Sequence, residues 1–429
     1  MTIVACSTPP GVSGIAVVRI SGEDAIKNVS TFVKDSPLNK TRPVSKVCFL
    51  VDKDGEVFDE AIVTSYISPN SYTGENLVEI SCHGNPKIVS KIIDLSVEAG
   101  SRLAEAGEFT KTAFLNGKLD LSEAEAVASV IHSLSLAGVK AGIKNLRGGL
   151  SKEIYSIKSS LISIVANLEF NLDISEEDLQ PNLLKNSEKT ILETIKKLDV
   201  CILSFEETKM FQSGASVVIL GPPNAGKSTL FNYLVNKDQS IVTDIEGTTR
   251  DVIEKNININ GLPILLKDTA GIRESGDDVE KIGVERSFVE AKDADLTIIL
   301  NDRGLSFESV KHIHVFNKSD IKTPDEKYDI SISAKTGDGV KKLKETVYNS
   351  LVGNKVQTDT LIISKRQCNA IKGALKHIRE AHLLLLAGDS IELLIEDINR
   401  SIGYLDSITE KTTKDDVLDV VFSSFCVGK

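Results

Sequence analysis

The stretch Gly221-Pro-Pro-Asn-Ala-Gly-Lys-Ser228 has the residue types and spacing to hold a phosphate chain. Its glycines let the backbone curl until several N–H groups face one point, and a helix opening at its end adds a dipole there. The Lys227 ammonium suits β and γ oxygens, and the Ser228 hydroxyl suits Mg2+. Further along lies Asp268-Thr-Ala-Gly271. A carboxylate there reaches Mg2+ through water, and the Gly271 N–H can sense a γ-phosphate. Asn317-Lys-Ser-Asp320 and Ser333-Ala-Lys335 follow. Asp320 can accept from both guanine N–H donors, so the site would reject bases that lack them. The order of the four motifs predicts a GTPase, with GTP preferred to ATP. Between the first two lies Asp244-Ile-Glu-Gly-Thr248-Thr249-Arg250-Asp251, where a Thr hydroxyl can join Mg2+ once the γ-phosphate is present. The residue after the second motif is Ile272, so a water-orienting Gln is absent there and hydrolysis must use another device.

These residues need a scaffold, and the surrounding pattern predicts one. Residues 217–220 read as a strand before the loop, and 229–235 as the helix after it. Asn260-Gly261 joins two alternating runs, 253–259 and 262–266, which is a type I′ hairpin signal. Residues 296–300, 312–316 and 329–332 are further short strands. Helical segments between strands imply a mostly parallel sheet with one antiparallel hairpin.

The flanks differ. Residues 1–118 mix strand signals at 15–20, 61–66 and 76–82 with a turn-rich loop at 68–74 and a helical pattern at 87–97, an α+β module. From about Asp120 the chain turns helical, with Ser122 and Glu125 as an expected capping box. Ile154, Ile157, Leu161, Ile164 and Leu168 form one stripe, and Ile191, Ile195, Leu198, Ile202 and Phe205 another, with Pro181 between the two helices. Ile391, Leu394, Ile398, Ile402 and Leu405 repeat the pattern. Packing the helices before residue 210 against those after 350 makes the middle an insertion.

Net charge is −11 and no segment is net basic, so a nucleic-acid contact would have to be a local patch. No apolar run reaches the length of a membrane span, and the start has no secretory pattern. Cys6, Cys48, Cys82, Cys201, Cys368 and Cys426 are scattered without a CxxC pair, which reads as reduced thiols in a cytoplasmic protein. His83 beside Cys82 lacks further metal-ligating neighbours and reads as structural.

The chain resembles the MnmE (TrmE) family of tRNA modification GTPases along its whole length. The resemblance rests on TIVA-STPPG-SGIAVVRISG, PNSYTGE-LVEISCHG, GEFTKTAFLNGKLDLSEAEAV, VTDIEGTTRD, DTAGIRE, VEKIGVER and the terminal FSSFCVGK. It implies an α/β P-loop GTPase domain (214–349) inserted in an all-α helical domain (119–213 plus 350–429), preceded by an α+β N-terminal folate-binding and dimerisation domain (1–118). It implies a homodimer that forms a heterotetramer with a flavoprotein of the MnmG (GidA) kind, which carries the FAD. Together they would add an aminomethyl-type group from a one-carbon tetrahydrofolate (5-formyl or methylene form) to C5 of the wobble uridine of certain tRNAs, forming carboxymethylaminomethyluridine. G domains of this family pair across their nucleotide faces, with K+ doing the work of an arginine finger.

Motifs and resemblance together assign the nucleotide contacts: Asn224, Ala225, Gly226, Lys227, Ser228 and Thr229; Thr243, Asp244, Ile245, Glu246, Gly247, Thr248 and Thr249; Asp268, Thr269, Ala270 and Gly271; Asn317, Lys318 and Asp320; Ser333, Ala334 and Lys335. By motif match Ser228 and Thr249 would hold Mg2+, and Asn224, Thr243, Ile245 and Thr248 would hold K+. Lys227 and Glu280 are the expected catalytic residues, Glu280 positioning the attacking water through a second water. Arg19, Glu79, Lys118 and Lys429 are the expected folate set: cations suit a glutamate tail and a carboxylate suits the pterin edge. Cys426 would lie beside that tail. One departure from the family stands out. Only fourteen residues, Asn301–His314, separate the strand at 296–300 from the strand remnant before Asn317, where the family usually has a full helix, and Asn301-Asp302-Arg303 replaces an Asp-Gly-type loop. It bears on guanine binding or on the G-domain fold on that side, and not on the phosphate, Mg2+ or K+ positions. A rival reading is a non-enzymatic GTPase switch in ribosome or other assembly, which has no need of the folate set.

Overall fold

The computed structural model describes the chain apart from residues 37, 40, 173–180, 239–252, 269–288, 306–310, 324–327, 353–363, 410–414 and 424. Two compact units result: Met1–Ala128 with Leu146–Gln180 and Leu383–Lys429, and Ser129–Asn145 with Pro181–His382.

The first unit holds a six-stranded sheet in the order β3-β4-β5-β2-β1-β6, from β1 (Ile3–Cys6), β2 (Ser13–Ser21), β3 (Val44–Val51), β4 (Val57–Tyr66), β5 (Leu77–Gly84) and β6 (Arg102–Leu103). Alternation decides its faces. Ala16, Val18 and Ile20 of β2 turn inward, while Val17 and Arg19 take the other face. The inner face packs on α1 (Ala25–Ser30) and α2 (Pro86–Glu98), with Val18, Ile20, Leu50, Val63, Ile80 and Ile92 at its centre. Helix α2 starts where Asn85 accepts the Lys87 N–H at 2.9 Å, with Pro86 placed where no donor is needed.

Helices α3 (Glu108–Leu115) and α4 (Leu121–His132) follow, then α5 (Leu136–Leu146) and α6 (Gly149–Leu172). The capping box of α4 is not Ser122–Glu125. Asp120 accepts the Glu123 N–H at 2.8 Å, and Glu123 accepts the Asp120 N–H at 2.9 Å. The same i, i+3 spacing recurs two residues earlier, and Ser122 is fully buried inside the helix instead. The expected stripe of α6 is buried at Ile154, Ile157, Leu161, Ile164 and Leu168. It packs on α11 (Ile391–Thr409), whose Leu394, Ile398 and Leu405 are buried. Helix α12 (Asp415–Ser423) brings Leu418 and Phe422 against Phe114 and Leu121.

The second unit holds the other sheet, β12-β11-β10-β7-β9-β8, from β7 (Ala215–Leu220), β8 (Ile253–Ile259), β9 (Leu262–Asp268), β10 (Leu296–Leu300), β11 (His312–Asn317) and β12 (Ile330–Ile332). All neighbours are parallel except β8–β9. The hairpin residues Asn260 and Gly261 carry φ of 53° and 87°, as a type I′ turn requires. Helices α8 (Lys227–Asp238) and α9 (Val340–Val352) cover the face formed by Val217, Ile219, Ile298, Val315 and Ile332. Helix α7 (Pro181–Ser213) runs with α10 (Lys365–Ala387), where Arg379 donates to both oxygens of Asp199 at 2.8 Å. In both units, then, a helix before residue 210 meets one after 350; Ile191 and Leu198 of α7 are buried, while Ile195, Ile202 and Phe205 are partly exposed.

Candidate nucleotide and folate sites

The loop between β7 and α8 has three residues with positive φ: Gly221 at 150°, Asn224 at 62° and Gly226 at 93°. A Cβ on Gly221 would collide with the Leu300 carbonyl oxygen, and one on Gly226 with the Asn317 side-chain nitrogen. Glycine is required at both places by space as well as by conformation. Lys227 donates to the Gly221 and Pro222 carbonyls at 2.8 and 3.1 Å, which lays its side chain over the loop. Burial lowers its pKa, and the charge of Asp268 opposes that. Asp268 ends β9 and is 2% exposed. Ser228, Thr229 and Asn224 are exposed. The loop thus meets the demand of a triphosphate with Mg2+: a curled backbone, a cation over it, an exposed hydroxyl and a nearby buried carboxylate.

Asn317 organises the base side. Its Nδ2 donates to the Ala225 carbonyl at 2.8 Å, and its Oδ1 accepts the Ala334 N–H at 3.0 Å. One buried amide therefore ties the phosphate loop to the loop after β12. Lys318 follows with φ of 72°, and both Lys318 and Asp320 are exposed. Ser333 is buried and its hydroxyl accepts the Thr336 N–H, while Lys335 is exposed. Thr243, Asp244, Ile245, Glu246, Gly247, Thr248, Thr249, Thr269, Ala270, Gly271 and Glu280 lie outside the described residues. Asn301 is tied to Asn317: its Oδ1 accepts the Asn317 N–H at 2.7 Å. The departure from the expected loop was visible in the sequence; the bond it makes was not.

In the first unit Arg19 and Glu79 face each other across β2 and β5. Both Nε and Nη2 of Arg19 donate to the same Glu79 oxygen, at 3.0 and 2.8 Å. The guanidinium also lies 5.2 Å from the Tyr72 ring centre and 5.6 Å from that of Phe109. Burial pushes the Tyr66 and Tyr72 phenols up; Glu79 adds to the rise at Tyr66, and the Thr110 hydroxyl at 2.8 Å and the Arg19 charge oppose it at Tyr72. Lys118 donates to the Pro69 carbonyl at 2.9 Å, on the loop that carries Tyr72. The Lys429 carbonyl accepts the Phe109 N–H at 3.2 Å. Arg19, Glu79 and the Lys429 backbone are thus linked through Phe109, while Lys118 reaches the loop that carries Tyr72. Tyr72 and the fully buried Phe109, which pack near Arg19, stand inside the PNSYTGE and GEFTKTA stretches.

The terminal residues are stitched down. Ser7 donates to the Gly428 carbonyl at 2.9 Å, and Val427 bridges to Ala106. Cys426 is exposed and Cys82 is buried, its thiol pushed up to about 11 by burial and by Asp59. Asp59 accepts both the backbone N–H and the ring nitrogen of His83, the latter at 2.6 Å. Among the described residues no helix is long and apolar enough to cross a membrane.

Comparison with known proteins places these features in context. The family model "GTP-binding protein TrmE N-terminus" matches residues 2–118, and "MnmE helical domain" matches residues 121–426. The tRNA modification GTPase MnmE of Thermotoga maritima is 37% identical over 458 aligned residues, covering 100% of both chains. That of Aquifex aeolicus is 39% identical, covering 100% of this chain and 99% of its own. Among solved structures, the G domain of the T. maritima FeoB iron transporter is 26% identical with a TM-score of 0.24, covering 32% of this chain and 98% of its own. Era of Aquifex aeolicus bound to GDP and AlF4− is 25% identical with a TM-score of 0.25, covering 38% of this chain and 66% of its own.

Proposed function

The chain belongs to the MnmE family of tRNA modification GTPases, and from that premise we propose how its residues divide the work. It is a GTP hydrolase acting in tRNA modification. The finer reading is a K+-activated homodimer, organised as domains 1–118, 119–213 plus 350–429, and 214–349. It works with a flavoprotein partner to transfer a one-carbon unit from tetrahydrofolate to C5 of the wobble uridine. The observation that carries the nucleotide half is the Asn317 amide, which joins the phosphate loop to the third and fourth motifs.

In that reading the amides of 224–229 receive the phosphate chain, and Lys227 swings from its carbonyl partners onto β and γ oxygens. The Ser228 hydroxyl and, through water, the Asp268 carboxylate hold Mg2+ with Thr249. Asn224, in its left-handed conformation at φ 62°, offers its side chain to K+ together with Thr243, Ile245 and Thr248. Bound Mg2+ and K+ supply positive charge for the oxygens on which charge builds during phosphoryl transfer. Glu280 orients the attacking water, the role left open by the apolar Ile272. Asp320 accepts the guanine N–H donors.

The folate half rests on the Arg19–Glu79 pair. Arg19 lies near the rings of Tyr72 and the fully buried Phe109, which fix its guanidinium beside Glu79, so that the pair can meet the polar edge of a pterin. Lys118 and Lys429 supply cations for a glutamate tail. A pure assembly switch has no use for such an arrangement, so it supports the enzyme reading.

Three measurements test this. Hydrolysis is faster in K+ than in Na+, and Asn224→Ala removes the difference; equal rates in the wild type would remove the K+ assignment. Asp320→Asn moves preference from guanine towards xanthine nucleotides. Calorimetry detects 5-formyl-tetrahydrofolate binding; silence with intact hydrolysis favours the switch.

A further inference from the structure

The shortened connection after β10 does more than close a gap. We propose that Asn301 is a positioning residue for guanine recognition, setting the backbone of Asn317 from which Asp320 is delivered. This rests on the GTP reading above and concerns the same base pocket.

Asn301 follows β10 with φ of 52°, a conformation that Asn tolerates and β-branched residues do not. Its own N–H donates to the Val315 carbonyl at 2.9 Å, and its Oδ1 takes the Asn317 N–H at 2.7 Å. One residue thus holds both Val315 and Asn317 at the end of β11. Asn317 is 3% exposed, so its N–H has no water to turn to if that acceptor is lost. Its side chain is already committed to Ala225 and Ala334. A shift of Asn317 would therefore be felt by the phosphate loop, by the loop after β12 and by Lys318–Asp320 together.

The short segment is itself fastened, which gives Asn301 a fixed base. The Asp302 carbonyl meets the His314 ring nitrogen at 2.9 Å. The Asp302 carboxylate accepts the Gly304 and Leu305 N–H groups at 2.9 and 3.2 Å. Arg303 lies 5.8 Å from the Tyr328 ring centre. These contacts hold the segment against the outer side of β11, where this chain has too few residues between β10 and β11 for a long helix.

Three variants of the full-length protein separate the acceptor from the conformation. Asn301→Gly keeps the left-handed backbone and removes the acceptor. Asn301→Asp keeps both, and Asn301→Ala removes both. The readouts are binding of a fluorescent GDP, KM and kcat for GTP and for ITP, which lacks the guanine 2-amino group, and the melting temperature. The expected result is a KM for GTP raised roughly ten-fold in Asn301→Gly, with kcat within about two-fold and a smaller GTP-over-ITP preference. Asn301→Asp returns KM to within about three-fold of the wild type. An unchanged KM and preference in Asn301→Gly would overturn the inference while leaving the GTP reading in place. So would a loss in Asn301→Gly that tracks melting temperature and is not rescued in Asn301→Asp. Failure of the wild type to bind the fluorescent GDP would remove both readings.

Discussion

The phosphate loop of the second unit and the Arg19 cluster of the first, the proposed folate site, are built in opposite ways. In the loop the working groups are main-chain amides, and side chains matter by their absence: glycine stands where a Cβ would strike Leu300 or Asn317. In the cluster the contacts are made by side chains from separate segments, Arg19 with Glu79, Tyr72 and Phe109, and Lys118 with the Pro69 carbonyl. A main-chain site can be written in a short motif because neighbours in sequence are neighbours in space. A side-chain site depends on strand register and on where distant segments dock. The contrast teaches that the first should break when atoms are added and the second when they are removed.

The largest expected effect tests the first half. Gly226→Val should lower guanine nucleotide affinity more than about a hundred-fold, measured by fluorescent GDP binding, because strain at φ 93° adds to the collision. Tetrahydrofolate binding should be unchanged. The reverse case is Arg19→Ala, which removes atoms, costing roughly ten- to thirty-fold in 5-formyl-tetrahydrofolate affinity by calorimetry with GTP binding intact. If Arg19→Ala harmed both ligands alike, the two sites would not be separable in this way.

Smaller effects sharpen the comparison. A double-mutant cycle on Arg19→Ala and Glu79→Gln should give a coupling of about 1–2 kcal/mol in stability, since the pair is half-buried rather than exposed. A coupling near zero would mean the pair is held by the rings alone. The smallest effect concerns Glu108, which opens α3 beside Phe109. Burial alone would raise its pKa, but Arg102 and the Glu105 N–H outweigh burial and hold the carboxyl below the ordinary range. A depressed carboxylate contributes stability above the ordinary Glu pKa of about 4.3 and loses it as pH falls through the lowered value. Melting temperature should therefore fall more steeply on acidification in the wild type than in Glu108→Gln.

Much of this protein is decided locally. The order of the four nucleotide motifs, the Asn260-Gly261 turn and the apolar stripes of α6, α7 and α11 follow from periodicity and turn chemistry, so they could be read in advance. The capping box of α4 could not be placed to the residue. Asp120–Glu123 and Ser122–Glu125 share one spacing, and only burial of Ser122 separates them. Strands β1 and β3 went unread because β1 has only four residues and β3, at the sheet's edge, carries apolar residues such as Val47 and Phe49 on its exposed face, which blurs the alternation.

By itself, then, the amino-acid sequence determined that a phosphate-binding loop, a base-reading motif and a family-typical set of charged residues were present. Tertiary structure decided what each does to its neighbours. Asn317 looked like a ligand contact and turned out to spend its amide holding two loops together. Asn301 looked like a departure and became the acceptor that fixes Asn317. Tyr72 and Phe109 drew no reading from the sequence, and only the fold sets Arg19 of β2 beside both rings. The physical reason is common to all three: a hydrogen bond or a ring contact between distant segments is set by sheet register and docking, which no local window of residues encodes.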